Sequence, residues 1–439
     1  MDRELLAHGL GGAKDLPISP ELAMAGAVAA LVVSFSVLAL AWREPRFDDR
    51  PGRPAPAALD RAVGSRWFAV AVRVVGMAFF GWFLLAAVLG ENLVINPALG
   101  MFYVLLWVGI VPLSLLVGPA YKALSPVRTL HAGLARLTGS DPSRGLRDYP
   151  ERLGYWPAAV GLYAFVWLEL VHPDSTQLGT VRLWVAVYVA LMLLGGALYG
   201  DRFFERADPF EVYSSLVARL SVWGREDGRL VVRSPLANLA TTPVGPGLVG
   251  VVAVLFGSTG FDSFRESPPW LRFVQSSDVD AALLGNLALL AFCVGVGLVF
   301  TAATAATGVG DDVRRSALPG LFAHSMVPII VGYIAAHYLS YLVEYGQVTL
   351  VQMSDPLSRG DDLLGTADLE VNRWLSYHPT TLANIKVLGV VLGHVLGVVA
   401  AHDRAVRLLP RRHQLTGQLP LLLAMVGFTA GGLYLLFAA

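Results

Sequence analysis

An all-α, polytopic membrane bundle of about ten helices is what this sequence predicts, and three observations carry the prediction. Ten stretches are apolar over the ~20 residues a helix needs to cross the hydrocarbon core of a bilayer. Charged residues make up only 15% of the 439 positions, against about a quarter in a soluble protein, and the mean hydropathy is +0.58. Basic residues gather in every second loop, which is the pattern that orients membrane helices.

The predicted spans are 22–42, 67–90, 99–118, 155–171, 179–200, 245–260, 281–306, 317–345, 381–402 and 418–438, with the fourth and sixth the shortest. Most of the 33 Lys and Arg residues fall in five intervals: Arg43 to Arg66, Lys122 to Arg152, Arg202 to Arg233, Arg314–Arg315 and Arg404 to Arg412. Those intervals alternate with loops nearly free of cations. They are therefore predicted to be cytoplasmic, with both termini outside and the whole chain a single integral domain of the plasma (inner) membrane in contact with lipid. Residues 1–20 hold Asp2, Arg3, Glu4, Lys14 and Asp15 and no apolar run, so the first span is expected to act as its own insertion signal.

Two inner loops carry amphipathic stretches. Asp208-Pro209 is a capped helix start followed by an apolar stripe, and Leu124 to Leu137 is similar; both are expected to lie flat on the cytoplasmic interface. Gly389, Gly393, Gly397 and Ala401 recur every four residues in the ninth span, a face on which another helix can approach closely. Net charge is +0, which gives no electrostatic footprint for nucleic acid. The lone Cys293 can form no internal disulfide and reads as a small buried hydrophobe.

Candidate chemistry rests on ionisable residues at membrane depth, where they are costly and mark function. In the eighth span Tyr333, His337, Ser340, Tyr341 and Glu344 share one helical face. This is a functional stripe or, equally, a hydrogen-bonded structural one. His324 lies on the same span but points about 140° away from His337. In the ninth span His394 and His402 are eight residues apart. His324 and His402 fall at similar depth and form the candidate haem pair, although thirteen- and eight-residue spacings match poorly. Glu169 and His172 make a Glu-x-x-His pair, a spacing that lets both side chains reach one ion. Asp262 lies in Gly257–Ser263 (GSTGFDS), read as a glycine- and hydroxyl-rich break lining a cavity. His337, His394 and His172 are the candidate metal ligands, and Glu169, Asp262 and Glu344 the candidate catalytic carboxylates, around one pocket near the outer face. A metal role for His8, in Ala7–Gly12, would need it at the mature N-terminus. No Walker loop, nucleophile elbow or His-Glu-x-x-His motif occurs. A Ser–His–acid triad remains open, because its members need not be close in sequence.

Six segments add a family resemblance: Leu105–His131, Leu153–Leu170, Asp208–Leu216 (DPFEVYSSL), Gly257–Ser263, Ala323–Ser340 (AHSMVPIIVGYIAAHYLS) and Gly393–Ala405 (GHVLGVVAAHDRA). Together they resemble an actinobacterial family of polytopic membrane proteins commonly labelled fenitrothion hydrolase. The label implies hydrolysis of a lipophilic phosphotriester with release of a nitrophenol. A divalent metal with His and carboxylate ligands would suit such a reaction. Two other readings use the same residues: an ion- or proton-coupled transporter or channel, and a haem or copper redox protein.

Overall fold

The computed structural model describes residues 15–47, 51–308, 313–410, 413–414 and 416–438, so His8 lies outside the described residues. The chain is an all-α bundle and a multi-pass membrane protein. Among the described residues eight helices are long and apolar enough to cross a bilayer, and a bent pair, Pro97–Val108 with Ile110–Val117, makes a ninth candidate. The remaining predicted span is the helix Trp156–Leu170, 15 residues long and so about 22 Å. The helices cluster into two compact units, one formed by Met1–Arg50, Leu236–Ser340 and Arg373–Ala439, the other by Pro51–Pro235 and Tyr341–Asn372.

In the first unit the long helices are Pro20–Ala41, Leu248–Arg265, Ala281–Ala305, Met326–Ser340, Pro379–Leu408 and Leu419–Ala438. Their starts are written locally. Ser19 accepts a hydrogen bond from Leu22 N–H ahead of Pro20, and the Asp280 carboxylate accepts one from Leu283 N–H. The four-residue glycine stripe packs as its spacing predicts. A Cβ on Gly393 would sit 2.5 Å from the Pro328 carbonyl oxygen, and one on Gly397 would sit 2.8 Å from that of Ser325. The expected break at Gly257–Ser263 does not form, because Leu248–Arg265 is one continuous helix. Gly257 is there for contact: a Cβ would meet Cys293 Cα at 2.6 Å, so its absence lets two helix backbones touch.

Burial separates the helices by role. In Pro20–Ala41, Ala281–Ala305 and Arg66–Leu89 only 17–22% of the apolar window is buried, so these helices face lipid. For Leu248–Arg265 the figure is 72%, and for the long run Arg315–Gln352 it is 61%. The polar side chains of interest ride on these two inner helices, as the cost of ionisable groups in hydrocarbon demands.

The second unit holds Arg66–Leu89, the bent pair, Pro126–Leu137, Trp156–Leu170, Leu178–Tyr199, Pro209–Val217 and the turns Tyr341–Tyr345 and Gly346–Gln352. The bent pair has two causes. Pro112 cannot donate to the helix ladder and its ring crowds the preceding turn, and at Gly109 the axis bends by 41°. Almost every residue of the helix Pro209–Val217, on both its apolar and its polar face, is buried against protein. A small antiparallel sheet was absent from the sequence-based expectation. Arg53–Pro54 pairs with Arg229–Val232, which pairs in turn with Trp223–Glu226. Its hairpin turns on Asp227-Gly228, both at positive φ (49° and 79°), the backbone a two-residue type I′ turn needs.

Candidate functional site

A chain of hydrogen bonds crosses the core of the first unit between the helices Leu248–Arg265 and Met326–Ser340. Tyr333 and His337, four residues apart, point the same way, and their rings lie near parallel at 14°. Ser263 Oγ is 2.9 Å from Tyr333 Oη and 3.2 Å from His337 Nδ1. His337 Nε2 lies 3.0 Å from Asp262 Oδ2, which also accepts the Tyr338 hydroxyl at 2.7 Å. Arg265, one turn on from Asp262, places Nε 3.0 Å from Oδ1. Asp262, Ser263, Tyr333 and His337 are all at most 4% exposed.

With a neutral imidazole the protons run one way. Tyr333 donates to Ser263, Ser263 shares its one proton between His337 Nδ1 at 3.2 Å and the Thr259 carbonyl oxygen at 3.4 Å, and His337 Nε2–H donates to Asp262. The serine hydroxyl is thus hydrogen-bonded to a base whose other nitrogen is held by a carboxylate, which is the arrangement that activates a nucleophile. At the end of the Asp262 helix, burial holds the Glu266 carboxyl above its usual range. The Asp262 charge adds to this, and His337, Arg265 and Lys386 oppose it.

The other expected site residues fall elsewhere. On the ninth predicted span His394 is fully buried, its Nδ1–H donates to the Val390 carbonyl at 2.8 Å, and Nε2 has no hydrogen-bond partner among the described residues. His402 has both nitrogens engaged, Nδ1 at 3.1 Å from Gln418 Oε1 and Nε2 at 3.0 Å from the Trp42 carbonyl oxygen. His324 is buried in a 3-10 turn with Nδ1 at 3.0 Å from the Leu321 carbonyl oxygen. The contacts at His402 occupy the nitrogens an axial haem ligand would use.

Glu169, His172 and Glu344 belong to the second unit. Glu169 is half-buried near the end of its helix, which stops at Leu170. His172 is therefore not on a helical face with Glu169. Its Nδ1 accepts from Asp174 N–H at 3.1 Å, and its ring stands edge-on to Trp167. The cause is Pro173, which pushes the residue before it out of the helical region. Glu344 sits in the π-helical turn Tyr341–Tyr345, whose extra residue breaks the straight stripe read from the sequence. Among the described residues no three His, Cys, Asp or Glu side chains converge as a metal site requires. The candidate metal ligands read from the sequence, His337, His394 and His172, do not form such a group among the described residues, and the chemistry below runs through the chain's own groups.

Sequence reasoning found Asp262 and His337 and placed Tyr333 on the His337 face. It passed over Ser263, Tyr338 and Arg265. Arg265 was legible as an Asp-x-x-Arg pair on one helix; nothing in the spacing marks Ser263, whose role depends on the partner helix.

No protein-family model matches the chain, and comparisons with curated proteins and with solved structures return no match.

Proposed function

We propose that this chain is a plasma-membrane hydrolase of lipophilic esters or phosphotriesters, with both termini outside, in which Ser263 is the nucleophile. One observation carries the reading: the unbroken Ser263–His337–Asp262 relay in a bilayer-spanning core. The resemblance to the fenitrothion hydrolase family points to the same reaction class. Ser263 Oγ attacks the acyl carbon or phosphorus while His337 Nδ1 takes its proton. Asp262 holds the resulting imidazolium, and Tyr333 is the nearest donor for the developing oxyanion. His337 returns the proton to the departing alcohol or phenol, and water then repeats the sequence to free the serine. Because Ser263 is 1% exposed, substrate from the lipid phase reaches it only when the two helices part.

The test is labelling of the purified full chain by a lipophilic fluorophosphonate. The expected result is a single adduct on Ser263, lost in Ser263→Ala and slowed in His337→Gln. Metal analysis of the same preparation accompanies it. A bound divalent ion whose removal abolishes hydrolysis, without Ser263 labelling, overturns the serine mechanism in favour of a metal-bound hydroxide.

One feature favours a second reading, a proton-coupled transporter. Every member of the relay is sealed from solvent, as a proton wire is. Proton uptake into liposomes that is abolished by Asp262→Asn, in a protein that no fluorophosphonate labels, selects it.

A further inference from the structure

The second unit contains an apolar cavity of about 230 Å³ that the relay chemistry does not use. Eight of its eighteen lining residues are aromatic, Phe83, Phe102, Trp184 and Phe210 among them, and the rest are aliphatic. Only two residues of the lining carry hydroxyls, Tyr121 and Tyr188. Apolar cavities of on the order of 150 Å³ stay dry and accept a benzene-sized guest, so this one has room for a substituted ring. The backbone holds it open. Gly76, in the wall, meets the chain so closely that a Cβ would lie 1.9 Å from the Leu124 carbonyl oxygen, which fixes the helix Arg66–Leu89 against the turn at Leu124.

The hydroxyl end is wired to a buried acid. Tyr121 Oη lies 3.1 Å from Tyr188 Oη, and Tyr188 donates to Asp208 Oδ1 at 3.0 Å. The same Oδ1 accepts the Phe210 and Glu211 N–H groups as the helix cap. Asp208 is fully buried, and its Oδ2 has no hydrogen-bond partner among the described residues. Tyr188 therefore has both its donor and an acceptor position engaged, while Tyr121 keeps a lone pair for a guest. On the other side the lining residues Val75 and Leu113 are 60% and 38% exposed on the apolar surface of their helices, which gives an entrance from lipid.

We propose that this cavity binds a small aromatic molecule bearing a phenolic hydroxyl, taken from the lipid phase, with that hydroxyl donating to Tyr121 Oη and its ring among Phe83, Phe102, Trp184 and Phe210. An acyl chain would fill the volume but leave the hydroxyl pair unused. A ring with one oxygen matches both the aromatic side chains of the wall and the single polar end. Two sources share that chemistry, a free phenol and the ring of a reduced membrane quinone, a quinol.

The experiment uses the full chain in detergent with 2-naphthol and naphthalene as probes, followed by calorimetry. The expected result is saturable one-to-one binding of 2-naphthol. Tyr121→Phe weakens it about tenfold, the size of one hydrogen bond's 1.4 kcal/mol, and leaves naphthalene unchanged. Leu106→Trp, which fills the cavity from its wall, abolishes binding of both probes. Each variant is checked for an unchanged elution volume and unfolding midpoint. Displacement of 2-naphthol by micromolar short-tailed benzoquinol assigns the site to a quinol ring; failure to displace assigns it to a free phenol. Non-saturable partitioning of 2-naphthol, or equal effects of Tyr121→Phe on naphthol and naphthalene, overturns the proposal. So does a co-purifying acyl chain that 2-naphthol cannot displace.

Discussion

The two units bury polar networks of similar size in opposite ways. In the first, one carboxylate, Asp262, gathers its partners from two spanning helices: the imidazole of His337, the phenol of Tyr338 and the guanidinium of Arg265. In the second, an arginine is the hub. Arg128 makes a two-pronged contact with Glu211, 2.5 and 2.8 Å, reaches Asp201 at 2.7 Å, and lies over the Phe204 ring. All of those partners sit on short helices between the spans. The difference teaches what each network is for. A planar bidentate ion pair has one geometry and one charge state, which suits holding short helices together. A carboxylate–imidazole–hydroxyl chain can move a proton without moving an atom far, which suits chemistry.

The largest effect that would break this comparison is expected at Asp262. Asp262→Asn keeps size and hydrogen-bonding capacity but turns the His337 tautomer the wrong way and removes the charge that supports an imidazolium. Serine labelling or ester hydrolysis is expected to fall about 10³–10⁴-fold, with the unfolding midpoint little changed. An unaltered rate would reduce the first network to a structural one.

Next in size is Arg128→Ala. It leaves Glu211, 1% exposed, as a buried charge without its cation. Breaking a buried pair from one side costs about 3–5 kcal/mol, read as loss of folded protein or a large drop in the unfolding midpoint. The Asp201 contact adds little, because Asp201 is half exposed. Arg128→Met with Glu211→Gln should recover much of the loss. Arg265→Met tests the contrast: Asp262 keeps His337 and Tyr338, so the stability cost is expected to be well below that of Arg128→Ala.

A third prediction uses pH. Burial, reinforced by the Glu211 charge, pushes the Asp208 carboxyl up to about 7. The folded state then holds a proton between about pH 4 and 7 that the unfolded chain has released. More protons bound in the folded state means that stability falls as pH rises through that window and levels off above it. Asp208→Asn keeps the cap and removes the titration. Its unfolding midpoint, measured from pH 5 to 8, is expected to fall less steeply than that of the parent. Parallel slopes would place the proton elsewhere; Glu211, also raised by burial, is the nearest candidate.

The fold was legible because hydropathy alone marks a lipid-facing helix. All ten predicted spans correspond to helices, and even the bend at Gly109 and Pro112 is written in residue type. The misreadings have local causes. Gly257 and Gly260, among hydroxyl residues, look like a helix break, yet the helix is continuous and Gly257 packs against Cys293. His172 was read as helical although it precedes Pro173. The site was half legible. Asp262 and His337 stand out because charge at membrane depth is expensive, whereas Ser263 gains its meaning only from the helix opposite. Glu211 and Arg128 are 83 positions apart, and no spacing rule joins them.

The smallest effect is expected at His394, a buried histidine outside both networks. Its Nδ1–H is tied to the Val390 carbonyl of its own helix, and Nε2 meets no donor among the described residues. An unsatisfied buried nitrogen is a cost to the fold, so His394→Leu removes it along with one weak local bond. Stability should change by less than about 1 kcal/mol in either direction, and serine labelling should be unaffected. A fall in metal content or hydrolysis in His394→Leu would give Nε2 a ligand to hold. It would move the chemistry away from the Asp262 relay and toward the glycine-lined seam of the helix Pro379–Leu408.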